Sequence, residues 1–296
     1  MKIAVSGASG LIGSALLSAL KADGHDVLRM VRRKPTTPVP LIYWQPNGAV
    51  DPLALDGVEA VVHLAGESIA DRWTPEKKKA IKESRGPLTH KLAHSLAHGK
   101  MKPKVFVSAS AVGYYGDRGG EMLREESAPG KGFLTEVAQE WEKGTQLASQ
   151  AGIRTVCMRL GAVLTPEGGA LKKMLTPFRL GLGGRLGSGR QWMSWVSLDD
   201  VVGAIRHAIM TESLTGPVNV GSPNPVTNAD FTRTLGKVLG RPAVLPLTAF
   251  AVKAMFGEMG ESLLLYSQRM LPVKLQQSGY QFKHVQLEAA LRDLLG

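Results

Sequence analysis

Apolar residues form short runs and helical stripes along the first part of the chain. Residues 3–5 are an apolar run that leads into a glycine-containing loop, and residues 11 to about 22 repeat apolar side chains at helical spacing. A second apolar run follows and ends at Arg32 and Arg33. This pattern predicts a strand, a loop, a helix and a second strand, which together make one βαβ unit.

The alternation of apolar runs and amphipathic stretches continues to about residue 221. Further strands are predicted at 41–44, 60–66, 104–107, 153–160 and 218–221. Helices are predicted at 75–98 with a break near Gly86, at 133–150, from Ser197 to about 210, and from Thr227. Strands that alternate with helices are typical of a parallel sheet. The predicted fold is therefore α/β, a Rossmann-type doubly wound parallel sheet with a smaller, mostly helical C-terminal substrate domain.

Two stretches depart from this rhythm. Residues 34–40 carry three prolines and two threonines and are predicted to form a loop. Residues 164–189 end in a segment with five glycines, which is predicted either to cover a substrate or to be a surface loop. The chain is mostly helical in pattern after residue 241, and 285–295 is strongly amphipathic. The expected domains are a cofactor domain at 1–165, with returns near 191–221, and a substrate domain at 166–190 and 222–296.

The loop after the first predicted strand has the glycine spacing of a dinucleotide phosphate loop. Gly7 would make the tight turn, Gly10 would let the backbone approach a pyrophosphate, and Gly13 would let the helix pack closely on the strand. The N-terminus of that helix would present free N–H groups to the anion. The predicted cofactor-binding residues are Gly7, Ser9, Gly10, Leu11, Ile12 and Gly13 in this loop, and Leu64, Ala65 and Gly66 at the end of the strand near residue 60.

The end of the second predicted strand indicates which nucleotide the loop would hold. A carboxylate at this place would accept hydrogen bonds from a ribose hydroxyl, but the sequence has Arg32 and Arg33. Two guanidinium groups suit the 2′-phosphate of NADP(H). The predicted cofactor is NADP(H), and the alternative is that both arginines are solvated surface residues.

The strand near residue 105 runs into a cluster of hydroxyl groups at the carboxyl edge of the predicted sheet. Ser110 is predicted to orient a substrate carbonyl, and Tyr114 or Tyr115 to supply a proton if a neighbouring cation lowers its pKa. These three residues are the candidate catalytic groups. The alternative is that the serine satisfies strand-end amides and the tyrosines pack in the core.

Four residues are predicted to border a small-molecule substrate that the sequence does not identify: Arg72, Trp73, Gln191 and Trp195. Packing remains an equal alternative for Arg72 and Trp73. His63 is expected to be a packed strand residue, and Cys157, the single cysteine, to be a buried one. Asp199 and Asp200 follow Ser197 at a predicted helix start, so capping explains them. No metal site is predicted.

Composition limits the remaining classes of function. The chain has 296 residues, 44% of them hydrophobic, and a formal net charge of +11. The Lys and Arg residues are scattered, without a basic tail or a nucleic-acid-binding motif, so no nucleic-acid partner is expected. A positive field would instead attract an anionic cofactor. No segment has the apolar length to span a bilayer and the chain opens on a strand pattern, so no membrane contact and a cytoplasmic location are expected. The sequence does not indicate an oligomeric state.

Taken together, these motifs resemble the extended short-chain dehydrogenases/reductases, and more narrowly an atypical, nucleoside-diphosphate-sugar epimerase-like family with a C-terminal domain of unknown function. The matching segments cover almost the whole chain and are 7–13, 63–66, 72–74 with 84–85, 108–111, and a tail over 256–282. The tail is the most specific match. The resemblance implies a Rossmann fold, a nicotinamide cofactor and a substrate-binding role for Ser110.

One position departs from the wider superfamily. Active members of the superfamily that this chain resembles carry a Tyr-x-x-x-Lys motif on the helix after the serine strand, and the lysine lowers the pKa of the tyrosine. Aligning Glu142 with the family's downstream glutamate places Leu134 and Ala138 at these positions, and neither exchanges a proton. Two hypotheses therefore remain: an NADP(H)-binding reductase or epimerase-like enzyme acting on a carbonyl or sugar-nucleotide-like substrate, and a catalytically impaired NADP(H)-sensing or interaction protein.

Overall fold

The computed structural model describes residues 1–32, 41–44 and 50–296. Its strands, in chain order, are β1 Lys2–Ser6, β2 Asp26–Val31, β3 Leu41–Tyr43, β4 Ala60–His63, β5 Val105–Ala111, β6 Met122–Leu123, β7 Arg154–Leu160, β8 Ala162–Leu164, β9 Trp192–Met193, β10 Trp195–Ser197, β11 Gly216–Val220, β12 Val226–Thr227 and β13 Arg269–Met270. Its helices are α1 Leu11–Ala22, α2 Pro75–Glu83, α3 Gly86–His98, α4 Phe133–Gly144, α5 Gln146–Gln150, α6 Gly169–Arg179, α7 Leu198–Met210, α8 Asn228–Leu239, α9 Ala249–Gly260, α10 Val273–Gln277 and α11 Leu287–Leu295.

Within the described residues, seven strands form one parallel sheet in the order β11-β7-β5-β4-β1-β2-β3. The chain moves outward from β1 through β2 to β3, returns to β4, and then moves outward on the other side. The order therefore reverses between β1 and β4, and the carboxyl ends of these strands flank a crevice at that switch point. The sheet confirms the predicted doubly wound Rossmann-type fold.

Helices cover the two faces of the sheet and divide the core. On one face, Leu16 of α1 and Ile205 of α7 pack against strand residues such as Val62. On the other face, Leu92 and Leu96 of α3 pack against Phe106 and its neighbours. The continuous apolar strands predicted from the sequence fit a sheet that is buried on both faces.

The region 164–189 contains a helix that the sequence analysis did not predict. Helix α6 buries three side chains at helical spacing, Leu171, Leu175 and Phe178, in a cluster shared with α8 and α11. The prediction of a glycine-rich covering or surface loop was therefore wrong for its central part. Apolar residues recur at helical spacing in 171–178, but the glycine-rich segment that follows at 181–189 favours a loop.

Other boundaries differ in smaller ways. The predicted break near Gly86 is present and separates α2 from α3, whereas the predicted helix at 133–150 is divided between α4 and α5. Helix α9 kinks at Gly257, where φ is +62°, and continues into a π-helical turn, Glu261–Leu265. The predicted loop at 34–40 lies outside the described residues. In the described part of the chain, every helix is too short or too polar to cross a membrane.

Candidate cofactor and substrate site

At two positions in the loop between β1 and α1, no side chain larger than that of glycine fits. Gly7 has a φ of +68°, and a Cβ atom there would lie 2.7 Å from the carbonyl carbon of Leu64. A Cβ atom at Gly13 would lie 2.2 Å from the carbonyl oxygen of Gly7. Both distances are far below van der Waals contact. The loop is therefore folded tightly between the end of β4 and the first turn of α1.

The N-terminus of α1 is left open by this loop. Its N-cap residue is Gly10, which has no side chain to cap the first-turn amides, and the first turn carries no acidic residue. Helices α2, α7, α8 and α9 are instead capped by hydroxyl side chains, namely Thr74, Ser197, Thr227 and Thr248. Ser9 and Gly10 are exposed. This end of α1 can accept an anion without displacing a protein side chain.

The segment after β4 lies against the glycine loop and is supported by a buried arginine. The Arg85 guanidinium donates to the Glu67 carbonyl oxygen at 2.9 Å and to the Ile81 carbonyl oxygen at 3.2 Å. It also packs closely beside Gly66, since a Cβ atom there would lie 3.3 Å from the guanidinium. Burial lowers the pKa of Arg85 to about 10, so the group stays charged at neutral pH. Arg85 thus positions the 64–67 backbone at the crevice.

The buried His63 side chain links β4 to β1 and to α3 through two hydrogen bonds. Its Nδ1 lies 2.7 Å from the Ser6 hydroxyl, and its Nε2 lies 3.0 Å from the Thr89 hydroxyl. The ring is fully buried, and burial lowers its pKa to about 3. The neutral imidazole therefore joins β1, β4 and α3, as expected for a packed strand histidine.

This burial predicts a specific acid sensitivity. Because the pKa of His63 falls from 6.5 to about 3 on folding, the unfolded chain binds a proton that the native chain does not bind between these values. The contribution of His63 to the free energy of unfolding is then fully present above pH 6.5. It decreases by about 1.4 kcal/mol per pH unit as the pH falls towards 3. Between pH 7 and pH 5, urea unfolding of the natural protein should lose about 2 kcal/mol more than His63→Asn does. Parallel losses in the two proteins would contradict this assignment.

Ser110 lies at the end of β5, and its hydroxyl is hydrogen-bonded to the buried ion pair of Glu142 and Arg159. Its hydroxyl donates to Glu142 Oε1 at 2.7 Å, and the Arg159 guanidinium donates to both oxygens of the same carboxylate, at 2.7 and 2.8 Å. The ion pair is nearly closed to solvent, with side-chain exposures of 3% for Arg159 and 15% for Glu142. Although burial alone would lower the pKa of Arg159, its bonds to Glu142 raise it above the usual range.

The two tyrosines after β5 pack on this ion pair. Tyr115 is fully buried, and its hydroxyl lies 2.7 Å from Asn219 Oδ1 and accepts a bond from Arg159 at 2.9 Å. Burial raises the pKa of Tyr115 to about 12, the opposite direction from the one an acid catalyst needs. The Tyr114 ring centre lies 3.4 Å from the Arg159 guanidinium carbon. The cation thus stacks on Tyr114 and bonds Tyr115, but burial raises the pKa of Tyr115 by more than Arg159 lowers it.

Sequence reasoning did not single out the residues that engage this hydroxyl cluster. Arg159 lies near the end of β7 and Asn219 near the end of β11. The buried Glu125, in the loop after β6, accepts a bond from the Asn219 N–H. Glu142 entered the sequence analysis only as a reference position for the Tyr-x-x-x-Lys motif. The available signal was chemical, because charged side chains at buried strand ends need partners of opposite charge.

Leu134 and Ala138 lie where the resemblance places the tyrosine and lysine of the superfamily motif. Leu134 packs on the turn after β5, since a Cβ atom at Gly113 would lie 3.0 Å from Leu134 Cβ. Ala138 is buried. Both positions on α4 are therefore apolar, and neither offers a proton donor.

The predicted substrate residues are not brought together in one cluster. Arg72 is exposed, and Trp73 beside it packs edge-on against Phe133 and donates its indole N–H to the Ile69 carbonyl oxygen at 3.0 Å. The Gln191 amide is buried and donates to the carbonyl oxygens of Leu186 and Leu264, both at 3.0 Å.

Trp195, which was predicted to border the substrate, is buried, whereas Arg32, which was predicted to bind the cofactor phosphate, is exposed. Trp195 is fully buried, with its indole N–H bonded to the Asn224 carbonyl oxygen, so in this structure it is a core residue without a surface that faces a cleft. Arg32 is exposed directly after β2, where a 2′-phosphate was predicted to bind. Arg33 lies outside the described residues.

One group of side chains in the described residues has metal-ligating atoms close together: Asp199, His284 and Asp293. The Lys283 ammonium binds both aspartates, at 2.7 and 3.0 Å. Asp200, next to this group, accepts bonds from the Ser197 hydroxyl and from the backbone N–H groups of 283 and 284. The carboxylates of the cluster are engaged in an ion-pair network that joins α7 to residues 283–293, while the buried Nδ1 of His284 has no hydrogen-bond partner among the described residues.

Comparison with known proteins agrees with this geometry. Residues 3–221 match the NAD dependent epimerase/dehydratase family, and residues 247–294 match a domain of unknown function, DUF1731. The epimerase family protein Mb2239 of Mycobacterium bovis is 45% identical over 291 residues, which cover 98% of this chain and 96% of the relative. The human epimerase family protein SDR39U1 is 36% identical over 302 residues, and the match covers both chains completely.

A solved structure extends the likeness to three dimensions. The crystal structure of human SDR39U1 (isoform 2) with NADPH superimposes with a TM-score of 0.91 at 35% sequence identity, over 99% of each chain. The likeness therefore extends over both the segment that matches the epimerase/dehydratase family and the C-terminal segment. The chain belongs to the NAD dependent epimerase/dehydratase family.

Proposed function

We propose that the protein binds NADP(H) in the crevice between β1 and β4. The observation that carries this proposal is the glycine loop, in which Gly7 and Gly13 have no space for a side chain and α1 opens on an uncapped N-terminus. The pyrophosphate would lie beside Gly10, on the amides of Leu11 and Ile12, because the Gly10 N–H is bonded to the Gly7 carbonyl oxygen at 2.9 Å. The related human protein crystallised with NADPH supports this choice of ligand.

The other cofactor contacts follow from the same placement. Ser9 is exposed beside the loop. The backbone of Leu64, Ala65 and Gly66, held by Arg85, would line the crevice on the β4 side. Arg32 and Arg33 would bind the 2′-phosphate, because no carboxylate stands there to bind the free hydroxyl of NAD(H).

A charge-reversing variant tests the phosphate contact. Arg32→Asp combined with Arg33→Ser should weaken NADPH binding by about 1 to 3 kcal/mol, because charge-assisted hydrogen bonds to the phosphate are lost. NADH binding should stay unchanged or improve. The matched control is Arg29→Ser, which removes an exposed cation from the same strand. Equal losses for NADPH and NADH, measured by fluorescence titration, would contradict the assignment.

The reaction that this site supports best is reduction or epimerisation of a carbonyl or sugar-nucleotide-like substrate. A bound NADP(H) supplies hydride exchange at the nicotinamide. The chain has apolar side chains at Leu134 and Ala138, so proton transfer has to come from another group. Ser110 is the candidate for orienting a carbonyl, and Tyr114 rather than Tyr115 is the candidate acid, since the hydroxyl of Tyr115 is buried and bonded. The substrate would enter beside Arg72 and Trp73, in a region completed by 166–190 and 222–296.

A catalytically impaired NADP(H)-sensing protein is the second candidate. The buried bond between Ser110 and Glu142 favours it, because this hydroxyl is engaged by a carboxylate and not directed at a cleft.

One kinetic series separates the two candidates. NADPH oxidation is measured across a panel of carbonyl substrates with the natural protein, Ser110→Ala and Tyr114→Phe. Turnover that falls in both variants supports the enzyme. Tight NADPH binding without turnover on any substrate supports the sensor.

A further inference from the structure

A group of strongly exposed apolar side chains lies in the second half of the chain. The three most exposed large hydrophobic residues in the described part of the protein are Phe250, Val244 and Leu180, at 83%, 74% and 69%. Leu182 and Leu245 beside them are also more than half exposed. Globular proteins normally scatter such residues singly over the surface. Their concentration in two short segments, 180–182 and 244–250, therefore indicates a contact surface.

Backbone contacts hold the two segments side by side. The Leu245 N–H donates to the Gly183 carbonyl oxygen at 3.1 Å, and a Cβ atom at Gly181 would lie 3.6 Å from Pro242 Cγ. Phe250 lies in the first turn of α9, which continues the second segment. The five exposed side chains thus belong to neighbouring stretches of backbone and form one surface, the apolar patch.

The chain around the apolar patch carries only positive charge. Residues 168–191 and 231–257 contain nine Lys or Arg residues and no Asp or Glu. Arg179 lies next to Leu180, Arg241 lies just before the second segment, and both are exposed. Neither arginine forms an ion pair with a carboxylate that the structure describes. The patch therefore combines protruding apolar side chains with positive charge that the protein does not neutralise.

This combination fits an anionic lipid surface. Protruding apolar side chains can enter the boundary between headgroups and acyl chains, and cations beside them are attracted to anionic headgroups. A second copy of the chain fits poorly, because a symmetric contact would bring Arg179 and Arg241 of both copies together without a carboxylate. Single-stranded nucleic acid binds by stacking on aromatic rings, and Phe250 is the one aromatic residue of the patch.

We propose that the apolar patch binds anionic membrane surfaces. Leu180, Val244 and Phe250 enter the headgroup region, where their exposed apolar area is removed from water. Arg179 and Arg241 bind the lipid phosphates. The expectation of no membrane contact concerned spanning and targeting segments, which a surface contact does not need. The inference goes beyond NADP(H) binding and does not depend on it.

Flotation with lipid vesicles tests the apolar part of the patch. The vesicles are phosphatidylcholine with about one third phosphatidylglycerol, which supplies the negative charge. The apolar variant combines Leu180→Ser with Val244→Ser. Its control combines Met101→Ser with Met210→Ser, which lie outside the patch and are 62% and 64% exposed. We expect the apolar variant to bind roughly tenfold more weakly than the natural protein, and the control to bind as the natural protein does.

A second pair of variants tests the charges. Arg179→Gln with Arg241→Gln is compared with Lys21→Gln with Lys100→Gln, which makes the same change in net charge at exposed positions outside the patch. The arginine variant should bind the anionic vesicles roughly tenfold more weakly than the lysine control. Added salt should weaken the binding of the natural protein to these vesicles, because it screens the attraction to the headgroups.

The proposal fails if the natural protein does not float with anionic vesicles, or if each patch variant binds as its control does. It also fails if sedimentation without lipid shows a dimer that the apolar variant abolishes, since a second copy would then cover the patch. Urea unfolding and NADPH titration without lipid show that each variant is folded, and both should match the natural protein. A natural protein that binds vesicles but not NADPH would contradict the proposed function and leave this inference intact.

Discussion

Gly13→Ala should reduce the affinity for NADPH at least a hundredfold. The added methyl group would lie 2.2 Å from the Gly7 carbonyl oxygen and 2.9 Å from Ala8 Cα, so helix α1 has to move away from the loop. Such overpacking costs about 1 to 3 kcal/mol of stability, and the shift also misaligns the helix N-terminus with the pyrophosphate. Fluorescence titration with NADPH and urea unfolding measure the two effects.

The control for this variant is Gly99→Ala. Gly99 has an ordinary φ of −64°, and a Cβ atom there would meet its nearest neighbour at 3.5 Å. It should keep its NADPH affinity and change stability by less than about 1 kcal/mol. If Gly13→Ala binds NADPH as well as Gly99→Ala does, the loop does not hold the pyrophosphate.

Arg159→Met should be the most destabilising single substitution considered for this protein, at about 3 to 5 kcal/mol. It removes both bonds to the Glu142 carboxylate and the bond to the Tyr115 hydroxyl, and it leaves the carboxylate largely buried without a cation. Chemical unfolding measures the free energy. Arg206→Met, which breaks an ion pair with Asp23 at the surface, should cost only about 0 to 1 kcal/mol.

The double variant Arg159→Met with Glu142→Leu sharpens this prediction. Replacing both charges with apolar side chains removes the unpaired buried carboxylate, so a large part of the lost stability should return. A double variant that is less stable than Arg159→Met alone would show that the cost comes from lost packing and not from an unpaired charge.

The alternation of strands and helices and the cofactor loop were predictable because local rules determine them. Gly7, Gly10 and Gly13 lie within seven consecutive residues, and their spacing is meaningful without any knowledge of distant segments. The hydroxyl caps at Thr74 and Ser197 are equally local, and both are present. In each case the signal and the structure occupy the same short stretch of chain.

The hydroxyl cluster could not be read in this way. Ser110, Glu142 and Arg159 are separated by 32 and 17 residues, and Asn219 is 104 residues from Tyr115. Their pairing depends on which strands are neighbours and on how α4 crosses them. From the sequence, a serine followed by two tyrosines is compatible with catalysis and with packing, and the partners of these side chains are not visible in the local pattern.

The stacking of Arg269 on Trp192 has the same origin. These residues belong to two short strands that pair with different neighbours, β13 with β6 and β9 with β12. Hydrogen bonds through Ser194 and Ser267 then bring the two strands together. Neither residue has a local pattern that predicts this contact, since an isolated arginine after a turn is normally a solvated surface residue.

We propose that this chain binds NADP(H) although it has Leu134 and Ala138 at the positions of the usual tyrosine and lysine. The most direct test is a titration of the purified protein with NADPH and with NADH under the same conditions, followed by the fluorescence of the reduced nicotinamide. We predict saturable binding of NADPH that is at least tenfold tighter than binding of NADH. Equal affinity for the two nucleotides, or no binding of either, would contradict the account.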